Sequence, residues 1–295
     1  MISVFAPVGI GEVSPGTDLA GAIVDAVTAD ADGPLRAGDI LVVTSKIISK
    51  AEARHRAAEH REEAIEAESV RTVARRGATR IVRTRHGLTV AAAGVDNSNV
   101  AAEQVLLLPE DPDASAGRLR RQLQALTGHQ LGVVISDTAG RAWRIGQTDQ
   151  AIGCSGVRVV ERYAGRFDPY GNELEVTAVA VADELAAAAD LAKSKLSGRP
   201  VAVVRGLSQH LAEDGGAAET RAAQLVRHED TDMFRHGSQE SVLAAVLSAT
   251  GQQELFEQLL NLGQDDAIEA VLAGSGLVGG EAELLRRVLE AALRG

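Results

Sequence analysis

The chain has 295 residues, 45% of them hydrophobic and 24% charged, with a formal net charge of −11, a profile that fits a globular protein of one large or two ordinary domains. This acidity, with no Lys/Arg block, excludes a general nucleic-acid binder, which needs a basic face to neutralise phosphates. The single cysteine, Cys154, rules out an internal disulfide. Small molecules or protein are the expected partners of so acidic a chain; no apolar run reaches membrane-spanning length, and the start Met-Ile-Ser-Val-Phe-Ala-Pro lacks the order of a signal peptide, so the cytoplasm is expected.

Residues 2–8 read as a strand entering the loop Gly9-Ile10-Gly11-Glu12, whose glycines let backbone N–H groups face an anion. Residues 18–32 form an Ala-rich helical pattern, and Ile40-Leu41-Val42-Val43-Thr44 is a continuous apolar run of the buried-strand type. A helix starting at Ser45 places Lys46 and Lys50 on one face, beside the partial positive charge of its N-terminus. Two solvated lysines at a helix start are the plainer alternative. Lysine is scarce, however, with four in the chain, while arginine serves elsewhere as the surface cation. A compact, mobile ammonium where arginine is the habit suggests a geometric need. Asparagine is equally scarce, and two of the four are Asn97 and Asn99.

Residues 51–76 are charged and read as helical, and 78–90 as two short strands turning near His86-Gly87, where Arg83 or Arg85 is expected to cover a sheet edge rather than touch an anion. The small-residue segment 91–100 brings Asp96, Asn97, Ser98 and Asn99 into a tight turn. A strand over 106–112 leads to an amphipathic helix over 114–127, with Leu119, Leu123 and Leu126 inward. Val133 to Ser136 then read as a short buried strand ending at Asp137, a carboxylate at a strand end, followed by Thr138, Gly140, Arg141 and Arg144. Each such segment alone reads as an ordinary turn with a surface ion pair. Asp96 and Asp137 together make a cradle for one or two divalent ions bridging a triphosphate, with Thr138 as a neutral oxygen. The two arginines offer planar forks for phosphate or carboxylate.

Strands are expected over 153–160 and 176–181, separated by a loop holding Tyr163, Asp168, Tyr170 and Glu173. A helix over 181–196 and a strand over 200–206 follow, then a glycine-punctuated acidic loop over 208–220 and a closing segment over 222–235. Beyond Ser238 the pattern becomes helical over 243–262, 267–273 and 281–293. The expected division is therefore 1–237 and a helical appendage 238–295. Gly274-Ser275-Gly276-Leu277-Val278-Gly279 matches G-x-G-x-x-G formally but lies between helices, outside the βαβ context that a dinucleotide site requires.

Four segments in order, Thr44-Ser45-Lys46-Ile47-Ile48-Ser49-Lys50, Gly94-Val95-Asp96-Asn97-Ser98-Asn99, Ser136-Asp137-Thr138-Ala139-Gly140-Arg141-Ala142-Trp143-Arg144 and Asp168-Pro169-Tyr170-Gly171-Asn172-Glu173, make the chain resemble the coenzyme F420:L-glutamate ligases over roughly 2–237. The resemblance implies an α+β fold with a mixed sheet, a homodimer, and GTP-dependent addition of L-glutamate through γ-glutamyl links to the deazaflavin precursor F420-0 and to F420-1. It also implies Mg²⁺ or Mn²⁺, with K⁺ as a further candidate. By position, Ile10, Gly11, Glu12, Val13, Ser45, Lys50, Asn99 and, more weakly, Gln224 look like nucleotide contacts. Asp96, Asp137 and Thr138 look like metal ligands, and Lys46, Arg141 and Arg144 like catalytic groups. Gly11 stands where the resembling loop usually has proline, and Ile145 where a polar residue is common. The tail is too short and helical for the flavin-binding nitroreductase-like domain of some relatives, so no FMN is expected.

The implied chemistry suits these residues. A carboxylate is a poor acyl donor and must first be phosphorylated, and cations remove the repulsion between two anions. Arg141 or Arg144 would hold the incoming carboxylates or the departing phosphate, with the division between them open. A metal-dependent phosphatase and a non-catalytic nucleotide-binding regulator are the alternatives.

Overall fold

A computed structural model describes residues 1–98, 101–212 and 220–294. The chain divides into two compact units, Met1–Ala64 with Gly94–Arg227, and Ile65–Ala93 with His228–Gly295. The first unit is built on a five-stranded mixed sheet. Its strands are β1 (Ser3–Phe5), β2 (Ile40–Thr44), β3 (Gly132–Arg141), β4 (Arg144–Ser155) and β5 (Val201–Arg205). They lie in the order β1-β5-β2-β3-β4, with β2 and β3 parallel and the other neighbours antiparallel. The α+β expectation with a mixed sheet is met.

The helices of this unit start where the sequence supplies caps. The Asp18 side chain accepts from the Gly21 N–H at the start of α1 (Leu19–Ala29). Seven-residue α2 (Ser45–Ala51) follows β2 without a break. In α3 (Pro112–Thr127), Asp111 accepts from the Ala114 N–H, proline occupies the first turn, and Gly128 closes the far end in the left-handed region at φ 70°. Helix α4 (Val181–Lys193) lays Val181, Ala182, Leu185 and Ala189 on the sheet face formed by Ile40, Val42, Val134, Cys154, Ala202 and Val204. Alternation turns Val133 and Ile135 to the opposite face. Helix α3 packs on β3, β4 and α1. Arg205 grips Asp39, only 1% exposed, with Nε and Nη2 at 2.8 and 2.7 Å, and also donates to the carbonyls of Asp32 and Pro34.

Several expectations need correcting. Residues 51–76 are not one helix. The chain leaves α2 through Ala53 at φ 57°, His55–Ala57 pairs with Gln104–Leu106, and helix resumes as the 3-10 turn Ala58–His60 followed by the α-helix Arg61–Glu68. Ser69–Arg76 is a strand with Thr72 and Val73 buried at its centre, paired with Thr79–Thr84, because its side chains find a sheet partner that local charge patterning does not reveal. The strand expected over 106–112 is confined to Gln104–Leu106. β3 does not stop at Ser136 but runs five residues further, so Asp137 sits mid-strand opposite Gln150. The strand expected over 153–160 starts earlier, as β4, since backbone pairing with β3 needs no apolar alternation. The strand expected over 176–181 shrinks to Ala178–Val179, paired with Glu161–Arg162. Part of the acidic loop, 213–219, lies outside the described residues.

In the second unit, strands Ser69–Arg76, Thr79–Thr84 and Thr89–Ala91 form an antiparallel sheet, the last two as expected. Helices Ser238–Ala249, Phe256–Leu259, Gln264–Ser275 and Gly280–Arg294 bury Leu243, Leu247, Leu259, Ile268, Val271 and Leu289. The helical character of the tail is as expected, but the compact unit does not begin at 238. Buried Glu240 accepts from the Arg75 N–H at 2.7 Å, Glu257 from the Thr72 N–H at 3.0 Å, and the Val73 carbonyl from the Gly237 N–H at 2.7 Å. These bonds satisfy backbone groups of the 65–93 sheet and tie it to the tail. The G-x-G-x-x-G match ends a helix, with Gly276 left-handed at φ 67°. Among the described residues no helix is long and apolar enough to cross a membrane.

The contrast between buried and exposed ion pairs gives a stability test. Arg205→Ala leaves Asp39 buried without its cation and should cost about 3–5 kcal/mol, read as a lower urea midpoint. Arg286→Ala removes an exposed partner of Glu269 and should leave the midpoint unchanged. Equal effects for the two variants would contradict this account.

Candidate functional site

The parallel register of β2 and β3 sets Thr44 beside Ser136, so the residues that follow, Ser45 and Asp137, emerge together. The Ser45 hydroxyl donates to Asp137 Oδ1 at 2.7 Å. One residue along α2, Lys46 Nζ donates to Asp96 Oδ2 and, at 2.8 Å, to Ser98 Oγ. Asp96 is fixed by a two-way backbone bridge to Leu106 and by its own turn, where the Ser98 N–H and hydroxyl donate to its two oxygens at 2.9 and 2.7 Å. At the end of α2, buried Lys50 pairs with Glu12 of the 9–13 loop. Short helix α2 thus joins the N-terminal loop, the 95–98 turn and β3.

The two carboxylates sit in different electrostatic states. Burial pushes Asp137 up to about 6, and nearby Asp149 and Asp96 add to that, against the Ser45 hydrogen bond and the Lys46 charge. Burial also works against ionised Asp96, but hydrogen bonds from Lys46 and Ser98 outweigh it and hold Asp96 below the usual carboxylate range. Both carboxylates therefore feel the Lys46 ammonium, and Asp137 also feels the charge of Asp96.

On β3 the side chains alternate, so Ser136 and Thr138 face the side opposite Asp137. There the Ser136 and Thr138 hydroxyls each donate to Asp149 at 2.7 Å, and Lys193 donates to Asp149 and to Ser136 Oγ, each at 2.8 Å. Burial opposes the charge on Asp149, but Lys193 and the two hydroxyls keep it below the usual range. The hydroxyl of Thr138 therefore points away from the Asp137 carboxylate, and only Asp137 shares its face of β3 with Ser45.

Other expected residues stand apart from this cluster. Arg141 and Arg144 are exposed register partners at the β3–β4 hairpin tip, and Arg141 donates to the Ile145 carbonyl at 3.2 Å. Among the described residues neither guanidinium bonds to Asp96 or Asp137. Gln224 is exposed in a short helical turn held by Asp113, which accepts from the Ala222 and Ala223 N–H groups. Ile10 is half-buried, Gly11 and Glu12 are exposed, and Val13 is buried. Asn99 lies outside the described residues. Ser98, Ser136, Asp149 and Lys193 were not anticipated. The scarcity of lysine that singled out Lys46 and Lys50 also applies to Lys193 and Lys195, and Lys195 Nζ lies 3.5 Å from Thr138 Oγ1.

Among the described residues no three His, Cys, Asp or Glu side chains converge as a ready metal cage. Asp96 and Asp137 are hard oxygen donors that already share the influence of one cation, Lys46. That pair suits Mg²⁺ or Mn²⁺, which take few protein carboxylates and complete their shells with phosphate oxygens and water.

Residues 7–206 match the family model described as F420-0:Gamma-glutamyl ligase. The chain is 39% identical over 253 residues to the coenzyme F420:L-glutamate ligase of Archaeoglobus fulgidus, covering 79% of this chain and 96% of that protein. The proteins of the same name from Methanopyrus kandleri and Methanothermobacter thermautotrophicus are each 38% identical, over 76% and 79% of this chain and 94% and 99% of theirs. The matched span contains α2, the Asp96 turn and β3, the three elements whose side chains meet around Lys46. By that match, the chain belongs to the F420-0:gamma-glutamyl ligase family.

Proposed function

We propose that the protein is a GTP-dependent ligase that joins L-glutamate by a γ-glutamyl linkage to F420-0 and F420-1, acting in the cytoplasm as a homodimer. The observation that carries this reading is the placing of Lys46 against Asp96 and beside Asp137, within a chain of this ligase family. Asp96 and Asp137 would hold Mg²⁺ or Mn²⁺, which would supply charge neutralisation for the triphosphate. Thr138 offers an oxygen on the other face of β3. Lys46, held by Asp96 and Ser98, would offer its ammonium to a phosphate oxygen, while Lys50, anchored by Glu12, steadies the loop that runs past Ile10 to Val13.

The acceptor carboxylate attacks the γ-phosphate and GDP departs, leaving an acyl phosphate. The glutamate amine then attacks the acyl carbon, the bond to phosphate breaks, and an amide and free phosphate result. Arg141 and Arg144, unengaged with the Lys46 cluster, are free to meet the incoming carboxylates or the departing phosphate at the hairpin tip.

GDP release measured with F420-0, GTP and Mn²⁺ should require glutamate. Release without glutamate would indicate a phosphatase, and no release a regulator. Lys46→Met should lower the rate about 100-fold, a loss of about 2.7 kcal/mol in transition-state stabilisation. Because Asp137 takes up a proton near pH 6, above the ordinary aspartate value, proton and cation compete for it below that pH. Mn²⁺ affinity measured by calorimetry should weaken as pH falls from 7 to 5, and Asp137→Asn should flatten this dependence. A pH-independent affinity in the parent protein would remove Asp137 from the metal site.

A further inference from the structure

Asp149 and Lys193 take no part in the reaction outlined above, and neither bonds to Lys46, Asp96 or Asp137. Their side chains are 4% and 5% exposed, and they tie β4 to the last residue of α4. An ion pair this deep is often no more stabilising than an apolar pair of the same size, so packing alone does not explain it. What distinguishes it is the use made of the carboxylate. Oδ2 accepts from Ser136 and Oδ1 from Thr138, each at 2.7 Å, and Lys193 reaches both Asp149 Oδ2 and Ser136 Oγ. Ser136 and Thr138 are the two neighbours of Asp137 along β3, on the opposite face.

We propose that the Asp149–Lys193 pair is a positioning device for the ligase site. It grips β3 on both sides of Asp137, so that this carboxylate is presented at a fixed depth beside Ser45. It also commits the hydroxyl proton of Thr138, so that its oxygen, 3.5 Å from Lys195 Nζ, serves as an acceptor only. Lys193 serves as the counterion that keeps Asp149 an acceptor for both hydroxyls at once. The pair acts through other residues and touches no substrate. The proposal rests on the functional reading above.

The test uses the full chain and glutamate-dependent GDP release with F420-0, GTP and Mn²⁺. Asp149→Leu/Lys193→Met replaces the pair with apolar side chains of similar size, and Asp149→Asn keeps the size of the carboxylate. The Leu/Met variant should unfold cooperatively like the parent and keep its KM for GTP within about three-fold, yet lose about 100-fold in kcat, the scale expected when a reacting group is misplaced by about 1 Å. Thr138→Val should show a similar loss, Thr138→Ser should recover about ten-fold of it, and adding Asp149→Asn to Thr138→Val should cost less than about two-fold more, because the two residues act as a unit. A folded Leu/Met variant with parental kcat would overturn the proposal. So would losses for Asp149→Asn and Thr138→Val that multiply in full, a comparison that decides alone if the Leu/Met variant does not fold. No glutamate-dependent release from the parent overturns the functional reading and this proposal with it, whereas a competent parent with multiplying losses overturns this proposal only.

Discussion

The site depends on one backbone constraint, the parallel register of β2 against β3. Because Thr44 lies beside Ser136, the residues just beyond them, Ser45 and Asp137, meet side by side. The register is well determined because Leu41, Val42, Val43, Val133, Val134 and Ile135 are buried on both faces of the sheet. A slip of one residue would turn each side chain to the wrong face. It would also send Asp137 toward α4 and Thr138 toward Ser45.

From that fixed point, a seven-residue helix distributes cations. Lys46 and Lys50 lie four positions apart and reach different segments, the Asp96 turn and the N-terminal loop. A chain carrying eleven excess negative charges holds its ammonium groups where carboxylates crowd. The two faces of β3 repeat the arrangement, with one lysine against Asp96 on one side and another against Asp149 on the other. Asp137 lies between these pairs, among the described residues no lysine bonds to it, and burial leaves it ready to take a proton.

Much of the first unit was legible from local signals. Asp18, Pro112 and Gly128 mark helix ends by physical need, and the apolar runs at 40–44 and 200–206 have no comfortable place except inside a sheet. The extension of β3 through Asp137 to Arg141 was not legible, because a hairpin sustained by backbone hydrogen bonds leaves no apolar rhythm in exposed Gly140, Arg141, Arg144 and Ile145. Nor was the partnership of 65–93 with the tail, which rests on Glu240 and Glu257 accepting from strand N–H groups far away in sequence. Residue type and motif singled out Lys46, Asp96, Ser45 and Asp137, whose side chains the fold brings together. Asp149 carries no local signal, and only the fold brings Lys193 to it.

One further consequence follows from how few lysines the chain has. All four bear on the two faces of this region: Lys46 on Asp96, Lys50 on Glu12, Lys193 on Asp149 and Lys195 near Thr138. Apart from the N-terminus, every primary amine of the protein is therefore a local reporter. An amine-directed label, a methylated lysine observed by NMR or a mass tag would need no engineering to watch this region, and the rest of the surface, served by arginine, would stay silent.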